Sequence, residues 1–553
     1  MNRARRLRAL LPGAADLRAM RRSPGRDLLA GLTVAIVALP LALAFGVASG
    51  LGPEAGLTTA VIAGIVAAVF GGSNLQVSGP TGAMTVVLVP VVHGFGVTGV
   101  LQVGVMAGVI LVALALSGVG RYVRLIPAPV VEGFTAGIAV VIALQQVPNM
   151  LGVPPSDAEQ VWRLAWDAVV EWAAHPDPVP LLIALGVAAV ILVGTRLRPG
   201  LPLALIVVAL VSLATALLGT PVDTIGELPR TLPAPNADFL DLSRLGALLP
   251  SALAVAALAA LESLLCATVA DGMTVGERHD PDRELLGQGL ANLAVPFFGG
   301  VPATAAIART AVNVRAGARS RLAAITHSLV LLAVVAVAAP IVGFIPLAAL
   351  AGVLLATTVQ MVEVGSLLAI ARATRGDALV LALTFGVTVV FDLVAAVIAG
   401  LAVAALLALR QFSRAARVER VPLDDDGVDR SAEEHALLDE HIVAYRLDGP
   451  LFFGAAHRFL LELTEVAEVR AVILRMSRVT TIDATGALVL DDAIRRLEHR
   501  GIAVFLSGIR PGHAGVLRRI GAAERLREQG RILPGTPEAI DAARAVLREP
   551  ERD

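Results

Sequence analysis

Lysine is missing altogether from the 553 residues, so a Walker A loop with its phosphate-binding lysine cannot be built. That absence argues against direct ATP-driven pumping by this chain alone. Cysteine is nearly absent too: Cys266 stands by itself in an apolar segment, which excludes an intrachain disulfide and a C-x-x-C metal or redox pair. No cofactor or metal site is expected. Charge is sparse, at 16% of residues with a formal net charge of −1, and offers no general attraction for nucleic acid.

What fills the space is apolar: 56% of the residues are hydrophobic and the mean hydropathy is +0.77. A soluble globular chain of this length does not need so much, so the bilayer is the solvent for most of it. Uncharged or nearly uncharged runs occupy Leu28 to Pro53, Ala55 to Gly120, Pro178 to Gly194, Gly200 to Val222, Leu245 to Leu261, Leu285 to Ala308, Leu322 to Val362 and Ala378 to Leu409. Several exceed the roughly 20 residues that cross a membrane and must fold back at Gly and Pro clusters, giving about twelve to fourteen spans. The first run follows an arginine-rich tail but is too long for a signal-peptide core, and reads as an uncleaved span. Arg121 and Arg124, Arg196 and Arg198, Arg315 to Arg321, Arg372 and Arg375, and Arg410 to Arg420 join that tail on the cytoplasmic side, which puts both termini in the cytoplasm of a bacterial inner-membrane protein. The acidic, Trp-bearing stretch Val153 to Asp177 is expected outside as an interfacial amphipathic helix.

Two interrupted segments occupy corresponding places: Gly71-Gly72 then Pro80-Thr81, and Gly299-Gly300 then Pro302 with Thr304. Such pairs point to an inverted repeat with broken helices, whose unpaired N–H groups at mid-membrane need an anion or water. The alternative is a pair of ordinary loops at the membrane surface. Arg309 follows the second segment, where a buried guanidinium concentrates positive potential; otherwise it only sets topology. Glu262 follows a long uncharged stretch and could bind a co-transported proton, hold a cation, balance Arg309, or hydrogen-bond between helices. Its helix neighbours Ser263 and Cys266 read as packing residues. Ser78 to Thr85 offers glycines and threonine hydroxyls for an oxyanion cradle, and Phe45 could wall the cavity. Glu132, His327, Glu363 and Asp392 carry no assigned role.

After Leu409 the composition turns charged. Asp424 to Asp426 and Glu433-Glu434 mark a linker, beyond which β-like runs (Ile442 to Leu447, Ala471 to Met476, Ile502 to Ser507) alternate with helical runs (His457 to Ala467, Thr485 to Arg500, Ala514 to Ile520), an α/β pattern. The expected division is an N-terminal arm 1–27, a transmembrane domain 28–411 with repeats at about 28–219 and 245–411, a linker 412–435 and a small domain 436–549.

Val37 to Gly46 (VALPLALAFG), Ser78 to Gly82, Glu262 to Leu265, Ala270 to Gly272, Gly299 to Asn313 and Asp483-Ala484-Thr485-Gly486 occur in that order. In these stretches the chain resembles the SulP anion transporters, bacterial relatives of the SLC26 exchangers, ending in a STAS domain. The resemblance runs from about Asp27 to Arg548. It implies a multi-span α-helical membrane protein of 7+7 inverted-repeat architecture, with core and gate domains and about fourteen spans, plus a C-terminal cytoplasmic α/β STAS domain. It further implies an elevator-like cycle and homodimers in membrane lipid. By similarity, Phe45, Thr81, Gly82, Ala83 and the backbone of Ala306, Ile307 and Ala308 line a substrate site between half-helices starting near Pro80 and Pro302, with Arg309 supplying charge. Glu262 and Cys266 fall at the coupling-ion positions. Thr485 aligns with the phosphorylatable residue of related anti-sigma-factor antagonists, or caps its helix; with Asp483 it marks a regulatory site.

Three departures stand out. Leu41 replaces a glutamine common after the proline, Glu262 and Cys266 replace the aspartate and threonine of the sodium-dependent bicarbonate branch, and Arg309 replaces a small residue there. The expectation is secondary active transport, not enzymatic turnover, of a small inorganic anion, sulfate or bicarbonate favoured, coupled to a proton. Alternatives are a sodium-coupled bicarbonate or dicarboxylate carrier and an uncoupled exchanger or channel. A membrane-anchored signalling module and a nucleobase carrier are weaker rivals.

Overall fold

The computed structural model describes residues 10–156, 158, 160–198, 201–274, 277–391, 393–415, 417–420, 441–451, 469–521 and 524–548. Residues 1–9 of the arm, most of the predicted linker with Asp424 to Asp426 and Glu433-Glu434, the predicted helix His457 to Ala467, and Asp157, Glu159 and Asp392 lie outside these. The chain divides into two compact units, Met1–Leu401 and Ala402–Asp553.

The first unit is helical: α1 (Ala14–Arg22), α2 (Pro24–Ala48), α3 (Pro53–Phe70), α4 (Gly82–Ser117), α5 (Ala128–Gln145), α6 (Val147–Leu151), α7 (Val161–Ala174), α8 (Pro178–Leu197), α9 (Leu203–Leu218), α10 (Leu245–Gly272), α11 (Pro281–Ala294), α12 (Ile307–Arg315), α13 (Leu322–Val342), α14 (Leu347–Met361), α15 (Val364–Ala373), α16 (Arg375–Val390) and, running into the second unit, α17 (Leu393–Ala415). Among the described residues, eight helical stretches are long and apolar enough to cross a membrane. One of them, containing α5, is missing from the uncharged runs read in the sequence because Glu132 interrupts it; a single carboxylate near a helix end does not stop a span, and here it accepts from the Ser366 hydroxyl at 3.1 Å. Helix α4 is divided at Gly96, whose φ of 69° no helix accommodates. The stretch expected to form an amphipathic helix contains α7, with Trp162 and Trp166 exposed and Leu164, Ala165 and Ala168 buried.

The helices pack in two groups. α2, α3, α4, α10, α11, α12 and α13 contact one another, while α5, α8, α14, α15 and α16 form a second set of neighbours; α14 against α2 and α4 against α5 join them. Small residues permit the tight contacts. On α4, a Cβ at Gly108 would lie 2.8 Å from the Gly289 carbonyl of α11, so the two backbones touch. Within the first group the order helix, helix, short strand, helix occurs twice. The strands are β1 (Ser78–Gly79) and β2 (Thr304–Ala305), and they pair with each other, antiparallel, Ser78 opposite Ala305 and Gly79 opposite Thr304.

The second unit holds β3 (Arg417–Arg420), β4 (Ile442–Leu451), β5 (Ala471–Arg475), β6 (Val479–Ile482), β7 (Ala503–Ser507) and β8 (Ile532–Leu533), with helices α18 (Ala484–His499), α19 (Pro511–Ile520), α20 (Glu524–Glu528) and α21 (Thr536–Arg548). The sheet order is β3-β4-β5-β7-β8, β6 also pairing with β4; β4, β5, β7 and β8 are parallel and β3 antiparallel. Alternate residues of β5 and β7 point to opposite sides. Val472, Leu474, Val504 and Leu506 pack with Leu490 and Ile494 of α18, and Ile473 and Phe505 with Ala539 and Ile540 of α21, giving the α/β sandwich its two cores.

Candidate functional site

The β1–β2 pair is the hinge on which the site is built. An antiparallel pair sends its two outgoing chains in opposite directions, so α4 and α12 leave it oppositely while their N-terminal ends stay beside it. The pairing also satisfies backbone groups that would otherwise be stranded in the membrane, as does the 3.1 Å bond from Ala306 N to the Val77 carbonyl. The second half-helix consequently starts at Ile307, not near Pro302 as expected. Between the two the chain runs extended, because the strand pairing outcompetes early helix formation.

Neither half-helix is capped by a side chain. Thr81 occupies the N-cap position of α4 in extended conformation, yet its hydroxyl donates to Glu262 Oε2 of α10 at 3.0 Å instead of accepting from its own helix. Ala306, the N-cap of α12, has no group to offer. Two sets of helix N–H groups, each carrying the positive end of a helix dipole, therefore sit beside one short sheet.

Arg309 lies between them, third in α12 and 1% exposed. Its Nη2 donates to the Pro80 carbonyl at 2.7 Å, while Nη1 is buried without a hydrogen-bond partner. Gly79 makes room for it: with φ at +155°, a Cβ there would stand 2.6 Å from Nη1. Glu262 and Arg309 do not pair directly. Each takes a neighbouring position on the same segment, Thr81 for the acid and Pro80 for the base.

Phe45 of α2 covers the start of α4, its Cε1 being 3.1 Å from where a Cβ on Gly82 would stand, with Ile142 of α5 on the same spot. Thr81, Gly82 and Ala83 are buried; Ala306 is half-buried, and Ile307 and Ala308 are exposed. The Cys266 thiol donates to Thr310 Oγ1 at 3.1 Å, and that hydroxyl also accepts from Val77 N at 3.0 Å. Ser263 does more than fill space: its hydroxyl is 2.9 Å from Thr304 Oγ1 and accepts from Ala305 N at 3.3 Å.

Sequence reasoning missed the polar frame beneath. Glu284 of α11, 2% exposed, accepts from Gly72 N, Ser73 N, Gln76 Nε2 and Gln288 Nε2 at 2.8 to 3.1 Å. Gln288 Nε2 also reaches Ser78 Oγ at 2.7 Å, and Asn292 exchanges two 2.8 Å bonds with Ala303. One frame thus grips the lead-in to both half-helices. The only signal for it was a set of amide side chains, Gln76, Gln288 and Asn292, in otherwise apolar stretches.

In the second unit Asp483 is the N-cap of α18 and accepts from Gly486 N at 2.7 Å. Thr485 is exposed and lies inside the first turn, which corrects its reading as the capping residue: Asp483 holds the extended conformation that capping requires.

Residues 25–384 match the Sulfate permease family and residues 436–532 the STAS domain. A candidate sulfate transporter of Bacillus subtilis (strain 168), YvdB, is 35% identical over 515 residues, covering 91% of this chain and 95% of that protein. The bicarbonate transporter BicA of Synechocystis sp. is 33% identical over 497 residues, covering 87% and 88%. Among solved structures, the transmembrane domain of a cyanobacterial bicarbonate transporter BicA is similar with a TM-score of 0.63 at 32% identity, over 68% of this chain and 97% of that one. Murine Solute Carrier 26 family member A9 in its inward-facing state gives a TM-score of 0.82 at 19% identity over 94% and 91%, a likeness of fold.

Proposed function

Since the chain belongs to the sulfate permease family, a family of multi-pass membrane anion transporters, and ends in a STAS domain, we propose that it performs secondary active transport of a small inorganic oxyanion, sulfate or bicarbonate, coupled to a proton. One observation carries this: two uncapped half-helix ends meet beside a buried arginine that keeps one guanidinium nitrogen unpartnered. Helix dipoles and guanidinium there favour negative charge, and the planar guanidinium suits an oxyanion better than a neutral ring.

In this reading the anion sits against the backbone of Gly82, Ala83, Ala306, Ile307 and Ala308, walled by Phe45 and neutralised by Arg309. Glu262 takes up the proton as the one acid joined to the cradle by a hydrogen bond: Thr81, at the N-cap of α4, donates to its Oε2 at 3.0 Å and links that event to the anion site. Alternating access arises as the helix group bearing the cradle moves against the group of α5, α8, α14 and α16, the elevator arrangement, in two inverted repeats at about 28–219 and 245–411. Both termini face the cytoplasm of the bacterial inner membrane, the assembly is a homodimer, and the domain at 436–549 regulates it.

Proteoliposomes holding the full chain test the coupling. An inwardly directed proton gradient should drive accumulation of labelled sulfate or bicarbonate above equilibrium, and Glu262→Gln should abolish the response to pH while leaving exchange. Equilibration without accumulation, indifferent to the gradient, would establish an uncoupled exchanger or channel instead. Dependence on sodium would move the coupling ion from H+ to Na+.

A further inference from the structure

Three buried amide atoms at the end of α5 have no hydrogen-bond partner: Nε2 and Oε1 of Gln145, and Nε2 of Gln146. The residues are 9% and 2% exposed. An orphaned buried amide destabilises a fold by about 1–3 kcal/mol, so two in succession mark a place where something other than folding keeps them.

Their position relates them to the cradle. Ile142, one turn earlier on α5, lies against Gly82 at the start of the first half-helix. An α-helix turns about 100° per residue, so Gln145 and Gln146 project about 60° to one side and about 40° to the other of the Ile142 direction. Gly133, nine residues before Ile142, faces the opposite way and meets Leu381 and Thr384 of α16. The amides are thus on the side of α5 that meets the start of α4, away from the side at Gly133 that meets α16.

We infer that Gln145 and Gln146 form a second, uncharged binding station beside the cradle, and that Gln145 selects an oxyanion carrying an O–H group, bicarbonate in chemical class. Both halves of the Gln145 amide lack partners. An Nε2 donor is satisfied by any oxyanion, but an Oε1 acceptor needs a donor from the ligand, which bicarbonate has and fully ionised sulfate and chloride lack. A neutral amide also binds without holding: the anion exchanges water for amide contacts without meeting a second full charge, so it can be released again. This assignment rests on the anion-carrying role proposed above.

Gln145→Met keeps the length of the side chain and removes both polar atoms. In proteoliposomes it should lower bicarbonate uptake about tenfold or more relative to wild type, the loss of hydrogen bonds to a charged ligand. Sulfate uptake should be nearly unchanged, and the thermal midpoint should hold or rise because an orphaned amide is gone. Gln146→Met should lower uptake of both anions. Equal loss of both anions in Gln145→Met, a lowered midpoint with that loss, or no loss at all would each overturn the inference, as would a wild-type protein that moves sulfate and not bicarbonate. Those outcomes leave the transport reading standing if wild-type uptake depends on Arg309; no anion uptake by wild type at all would remove both.

Discussion

Arg309 and Pro80 are joined across 229 positions of sequence by a 2.7 Å bond from the guanidinium to the prolyl carbonyl. The bond ties one half-helix to the lead-in of the other and leaves Nη1 as the unpartnered end of the cation. Positive charge is thereby fixed between two dipole ends by the protein itself, before any anion arrives.

Gly79→Ala tests that placement. The new Cβ would meet Nη1 at 2.6 Å and the Ala60 backbone at 3.4 Å, in a conformation L side chains rarely adopt. Loss of about 1–3 kcal/mol is expected, read as a lowered thermal midpoint of detergent-solubilised protein, with uptake falling more than Ala83→Gly makes it fall. An unchanged midpoint and unchanged uptake would show that the guanidinium does not need that space.

Glu284→Leu removes the acceptor for four donors at once, Gly72 N, Ser73 N, Gln76 and Gln288. Each orphaned donor is expected to be destabilising by about 1–3 kcal/mol, enough together to prevent recovery of monodisperse protein. Glu284→Gln, which keeps an acceptor oxygen, should be milder. Size-exclusion profiles of the two variants settle the order, and the reverse order would contradict the frame's role.

Much of the membrane unit was legible because bilayer thickness writes itself into run length, and Gly and Pro mark where runs break. Helix α5 was hidden by Glu132, since an uncharged-run criterion cannot see that a carboxylate near a helix end finds a hydroxyl. The β1–β2 pair was illegible for a different reason: two-residue strands carry no period, and only the fold brings Ser78 to Ala305. Arg309, Glu262 and Thr81 stood out as polar residues in apolar surroundings. The partner of Arg309 did not, because it is a backbone carbonyl, which any residue type supplies. Asp483 and Thr485 show the limit in the second unit: both suit a helix start, and the cap is decided by backbone conformation.

The N-terminal helix offers a pH test. Desolvation raises the Asp16 carboxyl, but hydrogen bonds from Arg283 and Gly13 N and the charges of Arg321 and Arg283 outweigh it and hold it below the usual carboxylate value. A lowered folded-state pKa means stabilisation that is complete above about pH 4 and lost as pH falls below it. Protection of residues 14–22 from hydrogen exchange, taken relative to the intrinsic rate at each pH, should fall on acidification through that range. Asp16→Asn should show the lower protection already at neutral pH; equal protection in both proteins would mean the ion pairs do not dock the helix.

Asp483→Ala should weaken the first turn of α18 by about 1 kcal/mol, seen as faster exchange at residues 486–489 of the full chain. Thr485→Asp should do the opposite, because it adds negative charge at an exposed helix N-terminus. No change in either variant would show that neither residue holds the helix start.

The most direct measurement is uptake of labelled sulfate and bicarbonate by Arg309→Ala, in proteoliposomes carrying matched amounts of folded protein. Near-complete loss for both anions is expected, with partial activity in Arg309→Lys, which returns charge without the planar fork. Wild-type uptake by Arg309→Ala would contradict the account, because the anion would then be held by something other than this buried cation.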